Sequence, residues 1–213
     1  MKTISTLLSA AVISLISVSA SQATTQASTV FHFDMKKNTD NFEVRASGWS
    51  DPKFGDLGWV HSSDWGTFNA VKGQVVTITM TSSETGFHPG STVYFRGADD
   101  TADNSYIPDV ALTQTATMAK WGASNDDTGE PLGDIVMKYI THGYDGDGAV
   151  ADVAGDLITN TFKKINDGVP GKLVIKFKAP FTGLYEFVSG GYKPAPTINK
   201  AIKHIVKVKV IVK

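Results

Sequence analysis

The sequence predicts an all-β protein, an antiparallel β-sandwich with one inserted short helix. Many short segments alternate apolar and polar residues with the period of two that is typical of half-buried strands. Turns rich in glycine, proline and aspartate separate these segments. The chain has no repeat of about 20–50 residues and no regular strand–helix alternation, which argues against solenoids and nucleotide-binding folds. Short strands joined by such turns are typical of two packed antiparallel sheets.

The strand pattern recurs along the whole chain. The predicted strands cover residues 30–34, 74–81, 91–96, 135–140, 172–178, 184–188 and 205–212, with a further short strand near Trp59. We expect 74–81 and 91–96 to form a hairpin through the loop that carries His88. The last strand alternates Ile or Val with Lys, so its lysines should protect the opposite side or an exposed edge. Residues 24–30 are predicted to be a flexible leader.

One segment has the periodicity of a helix. Val153, Leu157, Ile158, Phe162 and Ile165 fall near a spacing of 3.6 residues. The sequence Asp-Gly-Val-Pro-Gly at 167–171 would end this helix. The segment therefore predicts the one short helix, inserted between strands.

The first 23 residues have the features of a secretory signal peptide. Lys2 precedes a mostly apolar run at 7–18, and small residues follow it where signal peptidase cleaves. The run is shorter than the roughly 20 residues that a membrane-spanning helix needs. We expect residues 24–213 to form a single secreted β-sandwich domain without a membrane span. Its location would be the periplasm, the cell surface or the medium.

Composition and missing motifs exclude several classes of function. The chain has no cysteine, so a transition metal must be held by His, Asp, Glu, Met or backbone oxygen. Without the signal peptide, 19 basic and 21 acidic residues leave a formal net charge of −2, which does not indicate a nucleic-acid partner. The chain has no Gly-x-Ser-x-Gly, no His-Glu-x-x-His and no phosphate-binding glycine loop. We therefore expect a binding protein and not an enzyme.

The most informative motif is Trp59-Val60-His61. If this stretch is a strand, its alternation directs the indole and the imidazole to the same face, as a metal or ligand site would require. In the alternative interpretation, Trp59 packs in the core and His61 caps a loop.

The Trp-x-His element, the export signal and the cysteine-free β-rich body resemble the surface-associated copper-binding proteins of methane-oxidising bacteria. In that family, two histidines and a kynurenine made by oxidising a tryptophan hold the copper. The resemblance implies that Trp59 is the modified position and His61 is one copper ligand. Residues 105–117 contain no histidine, so the second ligand would be His88 or His142, and we favour His88.

His88 lies in the sequence Phe-His-Pro-Gly, which predicts a tight loop. As a metal ligand the ring would be exposed and rigidly placed there, whereas in the structural interpretation, which we favour from the loop alone, it hydrogen-bonds nearby backbone. His204 and His142 have no evident partner in the sequence. We expect His61→Ala to remove most copper retention and His204→Ala to leave it unchanged.

Asp145-Gly-Asp147-Gly is similar to the start of a calcium-binding loop. Later positions do not match an EF-hand, since Ala149, Val150 and Asp156 stand at positions 5, 6 and 12. The sequence leaves open an irregular calcium site at Asp145 and Asp147 or an ordinary Asp-Gly turn.

Aromatic residues cluster between positions 49 and 65, at Trp49, Phe54, Trp59 and Trp65. Such rings could form an exposed platform for sugars, or a small satellite core under a long loop.

The leading hypothesis is an exported copper-binding protein that sequesters its metal. The alternative is a calcium-stabilised secreted module that recognises a glycan or a cell-surface partner.

Overall fold

The computed structural model describes residues 24–26, 30–45, 63–103, 106–108, 118–124, 130–148, 164–192 and 202–213, and these form strands and turns but no helix. The strands are β1 (Thr24–Gln26), β2 (Val30–Phe33), β3 (Thr39–Arg45), β4 (Asp64–Ala70), β5 (Val75–Thr81), β6 (His88–Phe95), β7 (Tyr106–Pro108), β8 (Met118–Ser124), β9 (Pro131–Asp145), β10 (Lys164–Ile165), β11 (Lys172–Lys178), β12 (Gly183–Tyr192) and β13 (Lys203–Val212). Within the described part of the chain, no helix is long and apolar enough to span a membrane.

Two sheets form the body of the protein. The larger sheet has the order β10-β9-β6-β12-β4-β2, and β8 also pairs with β9. The four-stranded sheet has the order β11-β5-β13-β3. Most neighbours are antiparallel, whereas β2 with β4 and β10 with β9 are parallel. The predicted all-β, antiparallel sandwich is thereby confirmed.

The main core lies between the two sheets and follows the alternation in the sequence. In β13, Val206, Val208 and Val210 point inward, and the lysines between them point to solvent. Across the interface, the rings of Phe42 (β3) and Phe187 (β12) stack with centroids 5.8 Å apart. Because the side chains of a strand alternate, each strand gives the core every second residue.

The larger sheet is buried on its second face as well. Trp65, Tyr94 and Val188 point away from the core, and yet each is almost fully buried. The rings of Trp65 and Tyr94 stack with centroids 6.4 Å apart. This burial on both faces explains why β6 is buried at nearly every position.

The predicted hairpin between 74–81 and 91–96 is wrong. The first segment, β5, pairs with β11 and β13 in the four-stranded sheet, whereas the second, β6, pairs with β9 and β12 in the larger sheet. The intervening loop therefore crosses from one layer to the other. Alternation specifies which residues face the core, but it does not specify the pairing partner.

Two segments that were predicted to be a flexible leader and a helix contain strands. Residues 24–26 of the predicted flexible leader form β1, which pairs with β7. Lys164 and Ile165, at the end of the predicted helix, form β10 alongside the end of β9. The rest of that helix, 153–163, and the short strand near Trp59 lie outside the described residues.

Candidate metal-binding residues

The structure brings together three of the five predicted metal-binding residues. Trp59 and His61 lie outside the described residues. His88 begins β6, Asp145 ends β9, and Asp147 follows in the next turn. These two strands are neighbours in the larger sheet, so residues 57 positions apart in the sequence meet at one corner of the sandwich.

His88 is buried and forms a histidine–carboxylate pair. Only 4% of its surface is exposed, and its Nδ1 lies 3.0 Å from Oδ2 of the fully buried Asp145. The prediction of an exposed ring in a tight loop is therefore wrong. His88 is already part of β6, where it lies opposite Tyr192 of β12, and strand pairing covers it.

Backbone N–H groups hold the carboxylates of Asp145 and Asp147. Asp145 accepts hydrogen bonds from the amides of Gly171, at 2.7 Å, and Asp147, at 2.9 Å. Asp147 in turn accepts from the amides of Asp167, at 2.6 Å, and Gly168, at 2.8 Å. These bonds tie the end of β9 to the turn before β11.

This arrangement gives the two aspartates a structural role that calcium ligation would have to displace. Within the described residues, no group of three or more His, Asp or Glu side chains could hold a metal ion. The geometry thus favours the turn interpretation of Asp145 and Asp147 over a calcium site.

The carboxylate also decides which nitrogen of His88 can act as a ligand. With the proton on Nδ1 and directed at Asp145, the lone pair of the neutral imidazole is on Nε2. Metal-binding histidines are commonly oriented in this way by a carboxylate. His88 lines a cavity of about 340 Å³, together with residues of the loop 82–87 and Pro170. The structure therefore orients the ring of His88, but among the described residues it completes no group of three potential metal ligands there.

His204 has a similar partner, which the sequence analysis missed. It is 4% exposed, its Nδ1 bonds the carboxylate of Glu84, and its ring contacts that of Phe87 at a centroid distance of 4.8 Å. Its Nε2 is buried and has no hydrogen-bond partner among the described residues. The alternation of the last strand contained the signal, because His204 has the inward parity of Val206 and Val208.

The remaining described histidines have other surroundings. His142 of β9 is buried, and its Nδ1 bonds the hydroxyl of Tyr139. His32 is exposed on β2, with Nδ1 3.0 Å from the Thr67 hydroxyl.

His88 and His142 share one face of the larger sheet but cannot bind the same ion. Thr92 lies directly opposite His142, and His88 precedes Thr92 by four residues on the same strand. At about 3.3 Å per residue, the two histidines are separated by about 13 Å along the sheet. A copper ion would therefore use at most one of them.

The predicted aromatic platform is wrong for Trp65. This side chain is 1% exposed and stacks on Tyr94, so no sugar can reach its ring. Alternation in β4 directs it to the second face of the larger sheet, which is buried. Trp49, Phe54 and Trp59 lie outside the described residues.

A buried ionic network occupies the same second face. Arg96 is fully buried, and its guanidinium binds two carboxylates. Its Nη1 donates to Oε2 of Glu186 at 2.5 Å, and its Nη2 donates to Oδ1 of Asp100 at 2.9 Å, alongside a second bond from Nε to the same carboxylate. Burial raises the pKa of Glu186 to about 7, against the attraction of Arg96. Oε1 of Glu186 has no hydrogen-bond partner among the described residues. This network could not be predicted from the sequence, because no local pattern indicates that these charged residues are buried.

Comparisons with known proteins found a matching family model and solved structures of similar fold. The model of a family described as copper(I)-binding protein, CorA-like, matches residues 21–199. The structure is similar to CorA of Methylomicrobium album BG8, a surface-associated copper-binding protein important in copper acquisition. That match has 31% sequence identity and a TM-score of 0.73, and it covers 87% of this chain and 98% of CorA.

A second solved structure shares the fold. It is the secreted protein MopE of Methylococcus capsulatus, in which an oxidized tryptophan facilitates copper binding. It is 15% identical, with a TM-score of 0.59, and the match covers 89% of this chain and 94% of MopE. No curated protein sequence matches the chain.

Proposed function

Because the chain belongs to the family of CorA-like copper(I)-binding proteins, we propose that it captures copper(I) at a site formed by His61, Trp59 and His88. The observation that carries this proposal is the family match, whose matched range of residues 21–199 contains Trp59 and His61. Neutral imidazole is a good copper ligand, and the protein has no thiol that could replace it. Its role is binding and sequestration, without catalysis.

The environment of His88 supports its part as the second ligand. Asp145 fixes the tautomer that presents Nε2, and two backbone amides fix Asp145. His88 also lines a cavity, whereas His204 lines neither this cavity nor the one formed by β2, the turn after β2, Asn69 of β4 and the end of β13. Two neutral imidazoles suit copper(I), which tolerates low coordination numbers.

Trp59 is the proposed site of oxidation. The resemblance implies a kynurenine at this position, and MopE is a relative in fold in which an oxidized tryptophan facilitates copper binding. We further propose that residues 1–23 are removed as a signal peptide and that residues 24–213 act in the periplasm or at the cell surface. CorA and MopE are respectively surface-associated and secreted.

Copper titration of histidine variants tests the ligand set. We expect His61→Ala and His88→Ala each to lose most copper(I) under reducing, anaerobic conditions, because two-coordinate binding does not survive loss of one ligand. His32→Ala is the matched control, since His32 is exposed on the edge strand β2. Asp145→Asn should weaken copper binding about 10–100-fold, as the loss of an orienting carboxylate typically does.

Several outcomes would contradict this ligand set. Full copper retention by His61→Ala would overturn the whole site. If His88→Ala retained copper while His204→Ala or His142→Ala lost it, the second ligand would be the histidine whose replacement abolishes copper binding. Intact mass and peptide mapping of protein from its native host would show whether Trp59 carries added oxygen, and an unmodified Trp59 would refute the kynurenine.

A further inference from the structure

The outward face of the four-stranded sheet concentrates positive charge. We call it the lysine face, and it carries Lys172, Lys176, Lys178, Lys203, Lys207, Lys209 and Lys213. These are seven of the 20 basic residues of a chain whose net charge is −1. The rest of the protein must therefore be acidic overall, and its charge is segregated.

The strand register brings the lysines close together. Lys172 of β11 and Lys207 of β13 both lie opposite Thr81 of β5, one on each side. Strand spacing places these two lysines about 10 Å apart, and alternate residues on one strand, such as Lys207 and Lys209, about 7 Å apart. These distances are comparable to the screening length of about 8 Å at physiological ionic strength. The lysines therefore repel one another.

Acidic partners compensate only the margins of the face. Lys203 pairs with Glu43 at 2.7 Å, and Lys172 pairs with Asp167 at 2.8 Å. No ion pair joins the other five lysines to any described residue. Protection of an exposed edge does not explain Lys207 and Lys209 either, because β13 lies between β5 and β3 inside the sheet.

We propose that the lysine face docks on a membrane surface that bears anionic phosphate headgroups. Four strands form a face about 14 Å wide, on which the hydroxyls of Thr77 and Thr79 lie between the lysines, whereas the hydroxyl of Thr81 donates to the carbonyl of Lys207. A planar array of cations and hydroxyl donors is complementary to a planar array of phosphates. Each lysine near such a surface contributes about 1 kcal/mol, so five of them can hold a protein reversibly.

The orientation is compatible with copper capture. His88 and Asp145 belong to the larger sheet, on the other side of the core. The cavity beside His88 lies where β5 ends and β11 begins, and none of the seven lysines of the lysine face lines it. This inference rests on the proposed function only for the location of the protein outside the cytoplasm.

Vesicle binding by the mature chain tests the proposal. We expect sedimentation with phosphatidylcholine vesicles that contain about 30% phosphatidylglycerol at about 0.05 M salt, loss of binding at about 0.5 M salt, and none to phosphatidylcholine alone. The triple variant Lys176→Gln, Lys207→Gln and Lys209→Gln should bind about 100-fold more weakly, from about 1 kcal/mol per lysine. The matched control Lys36→Gln, Lys37→Gln and Lys72→Gln removes the same charge elsewhere and should lose less than about fivefold.

Three results would overturn the proposal. They are no vesicle binding by the unmodified chain, equal losses in the two triple variants, and binding to heparin or DNA without binding to anionic vesicles. Copper titration of the same proteins separates this proposal from the proposed function. Vesicle binding without copper binding would leave the docking face standing and refute the copper site.

Discussion

Each of two buried histidines is held at Nδ1 by its own carboxylate. Asp145 orients His88, while Glu84 orients His204. From the sequence, His88 is predicted to bind copper and Asp145 calcium, although the two residues form one hydrogen-bonded unit. Their separation of 57 positions leaves no local pattern from which that unit could be inferred. A carboxylate engaged in this way is better suited to orient a copper ligand than to bind calcium.

Glu186 is the other residue with unusual electrostatics. Burial raises the pKa of Glu186 from 4.5 to about 7, while Arg96 favours the charged form. Between these values the folded protein holds a proton that the unfolded chain has released. Raising the pH through this window therefore removes stability that is fully present below pH 4.5.

We expect Glu186→Gln to remove this pH dependence. Between about pH 4.5 and 7, the free energy of unfolding of the unmodified protein should fall by up to roughly 3 kcal/mol relative to the variant. Urea denaturation at several pH values measures the difference. Glu43→Gln, at an exposed surface pair, is the control and should leave the slope unchanged. Parallel curves for Glu186→Gln and the unmodified protein would show that Glu186 does not titrate in this range.

At the scale of the strand, the face on which a residue lies and its neighbours on the adjacent strands decide how large its side chain can be. Gly66 of β4 lies directly opposite Phe187 of β12 and has the inward parity of Phe68. A Cβ at this position would come within 2.5 Å of the Phe187 ring and 2.8 Å of the Phe33 ring. These rings cannot move freely, because Phe187 also stacks on Phe42. The absence of a side chain at Gly66 is therefore what lets the aromatic core close.

Gly66→Ala should destabilise the protein by about 1–3 kcal/mol, which is the usual cost of overpacking a core. Thermal and urea unfolding measure this loss. Asn69→Ala, an exposed position on the same strand, is the matched control and should change stability by less than about 0.5 kcal/mol. An unchanged unfolding midpoint for Gly66→Ala would mean that the Phe33 and Phe187 rings have room to shift.

At the scale of the whole molecule, the two layers separate His88 from the lysine face. The larger sheet carries His88, the four-stranded sheet carries the lysine face, and the cavity beside His88 lies at the end of the sandwich that the loop 82–87 crosses. The core between them consists of apolar side chains from both sheets. A ligand bound only by this folded arrangement must stabilise the whole molecule.

Thermal unfolding should therefore distinguish copper from calcium. Copper(I) at about 100 times its dissociation constant should add about 2.7 kcal/mol and raise Tm by roughly 5–10 °C. Calcium should leave Tm unchanged, because backbone amides already occupy Asp145 and Asp147. A copper(I) chelator should reverse the shift and serves as the control. A large shift with calcium alone would instead favour the calcium-stabilised module.

Sequence alone was enough to predict the strand class and several strands. The pattern at 172–178 coincides with β11, and the Ile/Val–Lys alternation correctly divides β13 into a buried and an exposed face. The Trp-x-His resemblance also led to the family that the comparisons show. The alternation of apolar and polar residues is a local property of a strand. It predicts correctly because it depends only on whether each side chain faces the core or the solvent.

Only the tertiary structure decided which strands pair and which polar residues meet. It separated β5 from β6, buried His88 against Asp145, and aligned the lysines of β11 with those of β13. Alternation is the same whatever strand lies alongside, so it carries no information about a partner more than a hundred residues away. Long-range pairing determines register, and register determines which side chains form a site.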